Sequence, residues 1–251
     1  PILSDLRVRK ALIHSIDRTA ISNRLFSGKQ PVAHNKIHPL DWIHTNNIKK
    51  YSFDPQKARV LLNDAGWNTT KAGVRYNSAG KKLQLELMST AGNRSRELVE
   101  QVLQSYWKAV GIDIKIRNQP ARVLFGETIS KRKFTGLAMF AWLSAPESLP
   151  RTTLHSQSVP TKENNWSGQN YTGFKNQLMD QLIDSIEIEL EKDKRKKLWG
   201  QLQRLYAEQL PAIPLYFRAN SFIVPKWLKG IRPTGHMFTS TNWVEDWHVI
   251  K

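Results

Sequence analysis

The sequence predicts an α/β fold, and three observations carry that expectation. Leu83, Leu85 and Leu87 alternate with polar residues, Ile112, Ile114 and Ile116 do the same further on, and residues 95–110 between them carry an apolar stripe at helical spacing. Strand, helix and strand with short joins make a βαβ unit, so the two strands should lie parallel with a right-handed crossover.

The elements follow in order. The opening stretch PILSDLRVRKALIHSID reads as a folded helix rather than a charged-then-apolar leader. In FDPQKARVLLNDAGW, Asp54 is a natural N-cap, Pro55 suits the first helical position, and Gly66 supplies a left-handed stop. The stripe on the 95–110 helix is Leu98, Val99, Val102, Leu103, Tyr106, Trp107 and Val110, closed by Gly111. Gly136 to Trp142 is expected to add a third strand to the same sheet. Two amphipathic helices come next, on Leu178, Met179, Leu182, Ile183 and Ile186, and on Leu198, Trp199, Leu202, Leu205 and Tyr206. Past Pro211 the chain reads as extended segments and then an irregular tail rich in aromatics. No internal repeat is visible.

Composition narrows the function. The chain has 251 residues, 40% hydrophobic and 10% aromatic, enough for one large domain or two ordinary ones. It has no cysteine, which excludes disulfides, thiolate metal sites and cysteine catalysis and suits an exported protein. No apolar run approaches the roughly 18 residues of a spanning helix. The net charge of +17 invites a nucleic-acid reading. However, the basic clusters Lys49-Lys50, Lys81-Lys82, Lys131-Arg132-Lys133 and Lys194-Arg195-Lys196-Lys197 fall on separate turns and at a helix start. They read as a solvated surface, and no nucleic-acid partner is expected.

Catalytic signals are thin. There is no G-x-S-x-G, H-E-x-x-H or phosphate-binding P-loop, so no catalytic residue and no cofactor is expected. His34, His38 and His44 lie close in sequence, but their spacing across a proline-containing loop matches no metal-ligand pattern. Glu187, Glu189 and Glu191 read as a solvated face.

Ligands of open α/β sheets sit outside the carboxyl ends of the parallel strands. That edge should collect residues 89–94, Asn118-Gln119 and Trp142-Leu143-Ser144. The 89–94 loop opens a helix, whose free N–H groups favour an anion; Asn93, Arg94 and Arg96 are the candidate contacts, with simple capping as the alternative. Trp142 is read either as core with its indole N–H tied to a carbonyl, or as one wall of a ligand pocket.

Five blocks then suggest a family. LSDLRVRKALIHSIDRTAI, YSFDPQKARVLLNDAGW, LELMSTAGNRSRELVEQVLQSYWKAVGIDIKI, YTGFKNQLMDQLID and LPAIPLYFRANSFIVPKWLKGIRP resemble, in order, conserved blocks of the bacterial extracellular solute-binding proteins of family 5. These are the oligopeptide-, dipeptide- and nickel-binding receptors of ABC importers. The resemblance implies the second lobe of a type 2 (class C) periplasmic binding-protein clamshell, with a mixed sheet, βαβ units and flanking helices. Residues 1–219 would be the ligand-binding lobe, and 220–251 a segment returning to a first lobe. The chain would then be roughly the C-terminal half of its parent.

The same resemblance implies a periplasmic or extracellular monomer that closes on a peptide-like ligand and docks on a membrane permease. It places Trp142 and Ser144 at a family "G-W-x-x-D" strand end, where the Trp lines the cavity and the Asp pairs with a peptide ammonium. Ala145 stands at the Asp position, and a buried ammonium without its partner costs roughly 3–5 kcal/mol. Either Glu147 replaces it, or the ligand has no free amino terminus there. Trp166, Gln169 and Asn170, in an amide- and aromatic-rich loop, are further candidate contacts. Oligosaccharide, opine or nickel-complex binding remains open within the family. Outside it stand the effector-sensing domain of a transcription regulator and, more weakly, a hydrolase.

Overall fold

The computed structural model describes residues 1–250. Helices α1 (Leu6–His14), α2 (Arg18–Phe26) and α3 (Pro55–Asp64) come first, followed by a hairpin of β1 (Thr69–Lys71) and β2 (Val74–Tyr76). Next come β3 (Gln84–Met88), α4 (Arg94–Ala109) and β4 (Asp113–Ile116). A short α5 (Ala121–Val123) runs into a π-helical turn before β5 (Leu137–Ala138). Then follow α6 (Arg151–Leu154), α7 (Gln177–Ile188), α8 (Lys192–Gln209) and a final two-stranded pair, β6 (Leu228–Lys229) and β7 (His248–Val249).

The longer helices begin where an acceptor side chain can take up a free backbone N–H. Asp5, Asp17, Asp54, Asn93, Asn176 and Glu191 each accept from an N–H in the first turn of the helix that follows. Gly66 takes φ +86° just past α3, as expected of its left-handed stop.

The central sheet has the order β4-β3-β5 and is wholly parallel, with Leu85 opposite Ile114 and Leu87 opposite both Ile116 and Leu137. Antiparallel pairing is confined to the β1–β2 and β6–β7 pairs and to isolated bridges. The third strand is shorter than expected: only Leu137 and Ala138 pair, and the chain turns off after Met139 donates to the Met88 carbonyl at 2.8 Å. Gly136 allows this close approach, because a Cβ there would lie 2.2 Å from the Glu86 carbonyl oxygen.

Two hydrophobic clusters organise the chain. One buries Leu83, Leu85, Leu87, Ile112 and Ile114 of the sheet against α1, α3 and α4. Within it Trp107 is buried, and its indole N–H donates to the Leu12 carbonyl at 3.1 Å, tying α4 to α1. Burial of such a side chain stabilises by about 1.5–3 kcal/mol. The second cluster is helical: Met179, Ile183 and Ile186 of α7 meet Trp199 and Leu202 of α8, with Ile37, Ile43 and Leu154 alongside.

Residues 31–33 pair with 215–217: Ala33 N–H donates to Leu215 at 3.2 Å and Phe217 N–H to Pro31 at 2.8 Å. Arg18 is buried beneath this seam and donates to the carbonyls of Ala33, Tyr51 and Pro214. Burial holds its pKa down to about 10. Beyond residue 219 the apolar side chains Phe222, Ile223, Val224 and Trp227 are exposed. No helix among the described residues is long and apolar enough to cross a membrane.

Candidate functional site

The carboxyl ends of the three parallel strands are locked by side chains that follow them. Ser89, after β3, donates its N–H to the Asn118 side-chain oxygen (2.8 Å) and its hydroxyl to the Met139 carbonyl (2.7 Å). Asn118 in turn donates to Glu100 on α4 at 2.7 Å. Glu100 is fully buried, and desolvation raises its pKa, which favours the protonated acid. Thr90 bridges to Gln119 in parallel register, and Thr128 donates to the Gln119 side chain at 2.7 Å. The edge is therefore cross-linked by side-chain hydrogen bonds from one strand end to the next.

The 89–94 loop supplies its own anion. The Asn93 oxygen accepts from the Arg96 N–H at 3.1 Å, and the Glu97 carboxylate accepts from the Gly92 N–H at 2.9 Å. The capping alternative describes this helix start. Arg96 donates to the Thr90 hydroxyl at 2.8 Å, while Arg94 is exposed and in no ion pair among the described residues. Arg96 is held below the usual guanidinium range by burial first and the Arg218 charge second.

Trp142 sits beyond the end of β5 and is 50% exposed, so it is not a core residue. Its indole stacks on Tyr171, centroids 6.0 Å apart and planes within 20°. Phe140 meets Trp142 edge-on at 5.4 Å, and Phe125 meets Phe140 edge-on at 5.6 Å. Together they form an aromatic ledge on the small cluster of Met88, Leu124 and Ile129. The half-exposed Trp142 ring presents an apolar surface of the kind that takes a ligand side chain or ring. Ser144 lies alongside, its carbonyl accepting from the Met237 N–H at 3.2 Å.

Other candidates fall elsewhere. Ala145 opens a turn in which its carbonyl accepts from Ser148 N–H at 3.2 Å. Within that turn Glu147 takes φ +55°, a left-handed conformation rare for a side chain of its type. Its carboxylate accepts from the Trp42 indole N–H at 2.6 Å and lies 3.8 Å from the Arg195 guanidinium. Both oxygens are thus engaged with the helical cluster. Asn170 is fully buried: its amide donates to the carbonyls of Leu154, His155 and Phe174 and accepts from Phe174 N–H and the Thr172 hydroxyl. It has no capacity left for a ligand and instead anchors the loop that carries Tyr171. Trp166 adopts φ +59°, its N–H donating to Thr161 at 2.8 Å, and Gln169 N–H donates to Thr152 at 2.8 Å.

Tyr171, Phe140 and Phe125 escaped sequence reasoning. Phe140 stands two residues before Trp142, but Tyr171 is remote in sequence, and only tertiary packing stacks it there. The histidines 34, 38 and 44 lie near one another without forming a ligand set: His34 and His44 line one small cavity, His38 packs edge-on against Phe217 at 4.8 Å, and the Nδ1 of His34 is buried without a partner among the described residues. Among the described residues no group of three or more histidine or carboxylate side chains is arranged to hold a metal.

Comparison with known proteins matches residues 1–164 to the model of bacterial extracellular solute-binding proteins, family 5 middle. The chain belongs to that family. It is 25% identical over 246 residues to the oligopeptide-binding protein AppA of Bacillus subtilis, covering 96% of this chain and 44% of that protein. Among solved structures, the oligopeptide-binding protein of Thermus thermophilus complexed with a pentapeptide superposes with a TM-score of 0.84 at 38% identity. That match covers 90% of this chain and 40% of the other. NikZ of Campylobacter jejuni in complex with Ni(L-His) superposes at 0.81 with 27% identity, covering 98% of this chain and 49% of the other. The family-5 chain therefore spans under half the length of these relatives, and its fold is that of type 2 periplasmic binding proteins.

Proposed function

We propose that this chain is the ligand-binding lobe of a receptor for an ABC importer, capturing peptide-like solutes and delivering them to a membrane permease. Residues 1–219 form the lobe, and the segment from 220 onward returns toward a partner lobe, in keeping with its exposed Phe222, Ile223, Val224 and Trp227. The receptor works as a monomer in the periplasm or at the outer face of the membrane. It does no covalent chemistry: two lobes close on the ligand by a hinge, and the closed form docks.

The observation that carries this reading is the half-exposed Trp142 stacked on Tyr171 at the carboxyl edge of the parallel sheet. In a family whose relatives include oligopeptide-binding proteins, such a ledge suits a peptide side chain or the flat face of its backbone. Ser144 borders the ledge, and Ala145 opens the turn that follows it. With Ala145 unable to hold an ammonium and Glu147 engaged by Trp42 and Arg195, the peptide's amino terminus is bound away from this turn. Mass spectrometry of small molecules released by denaturing the protein purified from its native host tests the proposal. A series of peptides is expected, and release of other compounds without peptides would overturn it.

A second reading is capture of a metal chelate, favoured by the likeness to NikZ in complex with Ni(L-His). Nickel recovered in the same released fraction would select it.

A further inference from the structure

We propose that the groove between α8 and the Ile43–Thr45 loop binds a phosphate-bearing anion. The groove lies in the helical cluster, apart from the aromatic ledge, and has a volume of about 490 Å³. Its wall is basic: Lys196, Lys197 and Arg204 line it, with His44 and Thr45 opposite and Asp193 as the one carboxylate. Three basic side chains against one carboxylate in the lining leave a positive field in a concave surface, where low-dielectric walls concentrate it.

Five of the six cations of α8 divide into two sets, the sixth, Lys194, being exposed and outside the groove. Lys192 lies over the Trp42 ring at 5.2 Å and Arg195 lies 3.8 Å from Glu147, so both face groups within the protein. Lys196, Lys197 and Arg204 make no ion pair among the described residues, not even with Asp193, one helical turn before Lys197. Lys196 and Lys197 are neighbours on the helix and Arg204 stands two turns on, so the three present one sign of charge to the same concave surface, with Asp193 in its lining and Glu191 near Lys197.

Gly200 forms the floor between Lys196 and Arg204, which stand one turn to either side of it. Nothing in the backbone demands glycine there: its φ is not positive, and a Cβ would meet only the Arg204 guanidinium, at an ordinary 3.6 Å. Glycine in a helix interior costs about 1 kcal/mol relative to alanine. That cost keeps the groove free of a side chain between its two outer cations. A planar guanidinium with two ammonium groups suits the several oxygens of a phosphate better than a single carboxylate.

Pyrophosphate titrated into the protein by calorimetry is the test, at about 50 mM salt, where the Debye length is still about 14 Å. Saturable binding with a Kd below about 1 mM is expected. Lys196→Ala combined with Arg204→Ala should weaken it at least tenfold, roughly the effect of losing charge-assisted contacts. Gly200→Leu should do the same by filling the floor. Lys81→Ala with Lys226→Ala removes equal charge elsewhere and should leave the affinity within about twofold. No saturable binding, or an equal loss in this charge-matched control, would overturn the site. Vesicles of phosphatidylglycerol in phosphatidylcholine separate the sources. Capture lost in the groove variants identifies a lipid headgroup, and pyrophosphate binding without vesicle capture identifies a soluble phosphate compound.

Discussion

Glu147 joins the loop that carries the ledge to the helical cluster, and its contribution can be resolved by three substitutions. The Trp42 indole N–H donates to its carboxylate at 2.6 Å, a short charge-assisted bond, while Arg195 stands off at 3.8 Å. A hydrogen bond to a charged group contributes about 1.5–3 kcal/mol. The Glu147 side chain is 38% exposed, so solvent screening brings this to about 1–1.5 kcal/mol. Against it stands the left-handed backbone at φ +55°, which costs a non-glycine residue about 1–2 kcal/mol. Glu147→Ala loses the bond and keeps the strain, so it should destabilise by about 1–1.5 kcal/mol. Glu147→Gly loses the same bond but relieves the strain, and should fall within about 0.5 kcal/mol of the parent. Glu147→Gln keeps an acceptor for Trp42 and loses only the distant Arg195 charge, costing under about 1 kcal/mol. Urea unfolding followed by tryptophan fluorescence gives all three values. If Glu147→Gln were as damaging as Glu147→Ala, the ion pair rather than the indole bond would be the tie. A glycine variant less stable than the alanine variant would refute the strain argument.

Trp142→Ala should weaken binding of the released ligand about tenfold or more, with under about 1 kcal/mol lost in stability because the ring is half exposed; titration calorimetry and urea unfolding separate the two. Asn170→Ala should destabilise by about 3 kcal/mol in urea, since it leaves buried carbonyls and the Phe174 N–H unpaired. His34 is held at about 4, by burial and then by the charge of Arg18, below its ordinary 6.5. The unfolded chain therefore binds the proton first: stability is full above about pH 6.5 and falls as the pH drops toward 4. His34→Asn should remove up to one proton from the uptake on unfolding in that window, measured from the pH dependence of urea midpoints; an unchanged slope would show that His34 does not titrate there.

The parallel pair was legible because buried parallel strands demand apolar side chains at period two, which Leu83–Leu87 and Ile112–Ile116 display openly. The helix starts were legible for a similar reason, since capping is local chemistry. The third strand was overread: Phe140 and Trp142 are apolar to build a surface, not to fill a sheet, and composition alone does not distinguish the two uses. Asn170 looked like a ligand contact because it lies in an amide- and aromatic-rich loop, and Glu147 because it is the first carboxylate after the family Asp position that Ala145 occupies. Their partners, Leu154 and Phe174 for one and Trp42 for the other, are set by tertiary folding, and no local pattern encodes them. The ledge was half visible for the same reason: Trp142 stood out, whereas Tyr171 reaches it only through the loop that Asn170 holds.

The seam between residues 31–33 and 215–217 has a consequence for how the protein is made. Arg18 is satisfied by the Pro214 carbonyl as well as by Ala33 and Tyr51, and Arg9 by the carbonyls of Gln209 and Leu210. Two buried or half-buried charges near the start of the chain thus wait for partners near its end. At roughly 5–20 residues per second, a ribosome takes about 10–40 s to supply them. Through that interval α1 can already pack on α3 and α4, but Arg9 and Arg18 are without the carbonyls that later satisfy them.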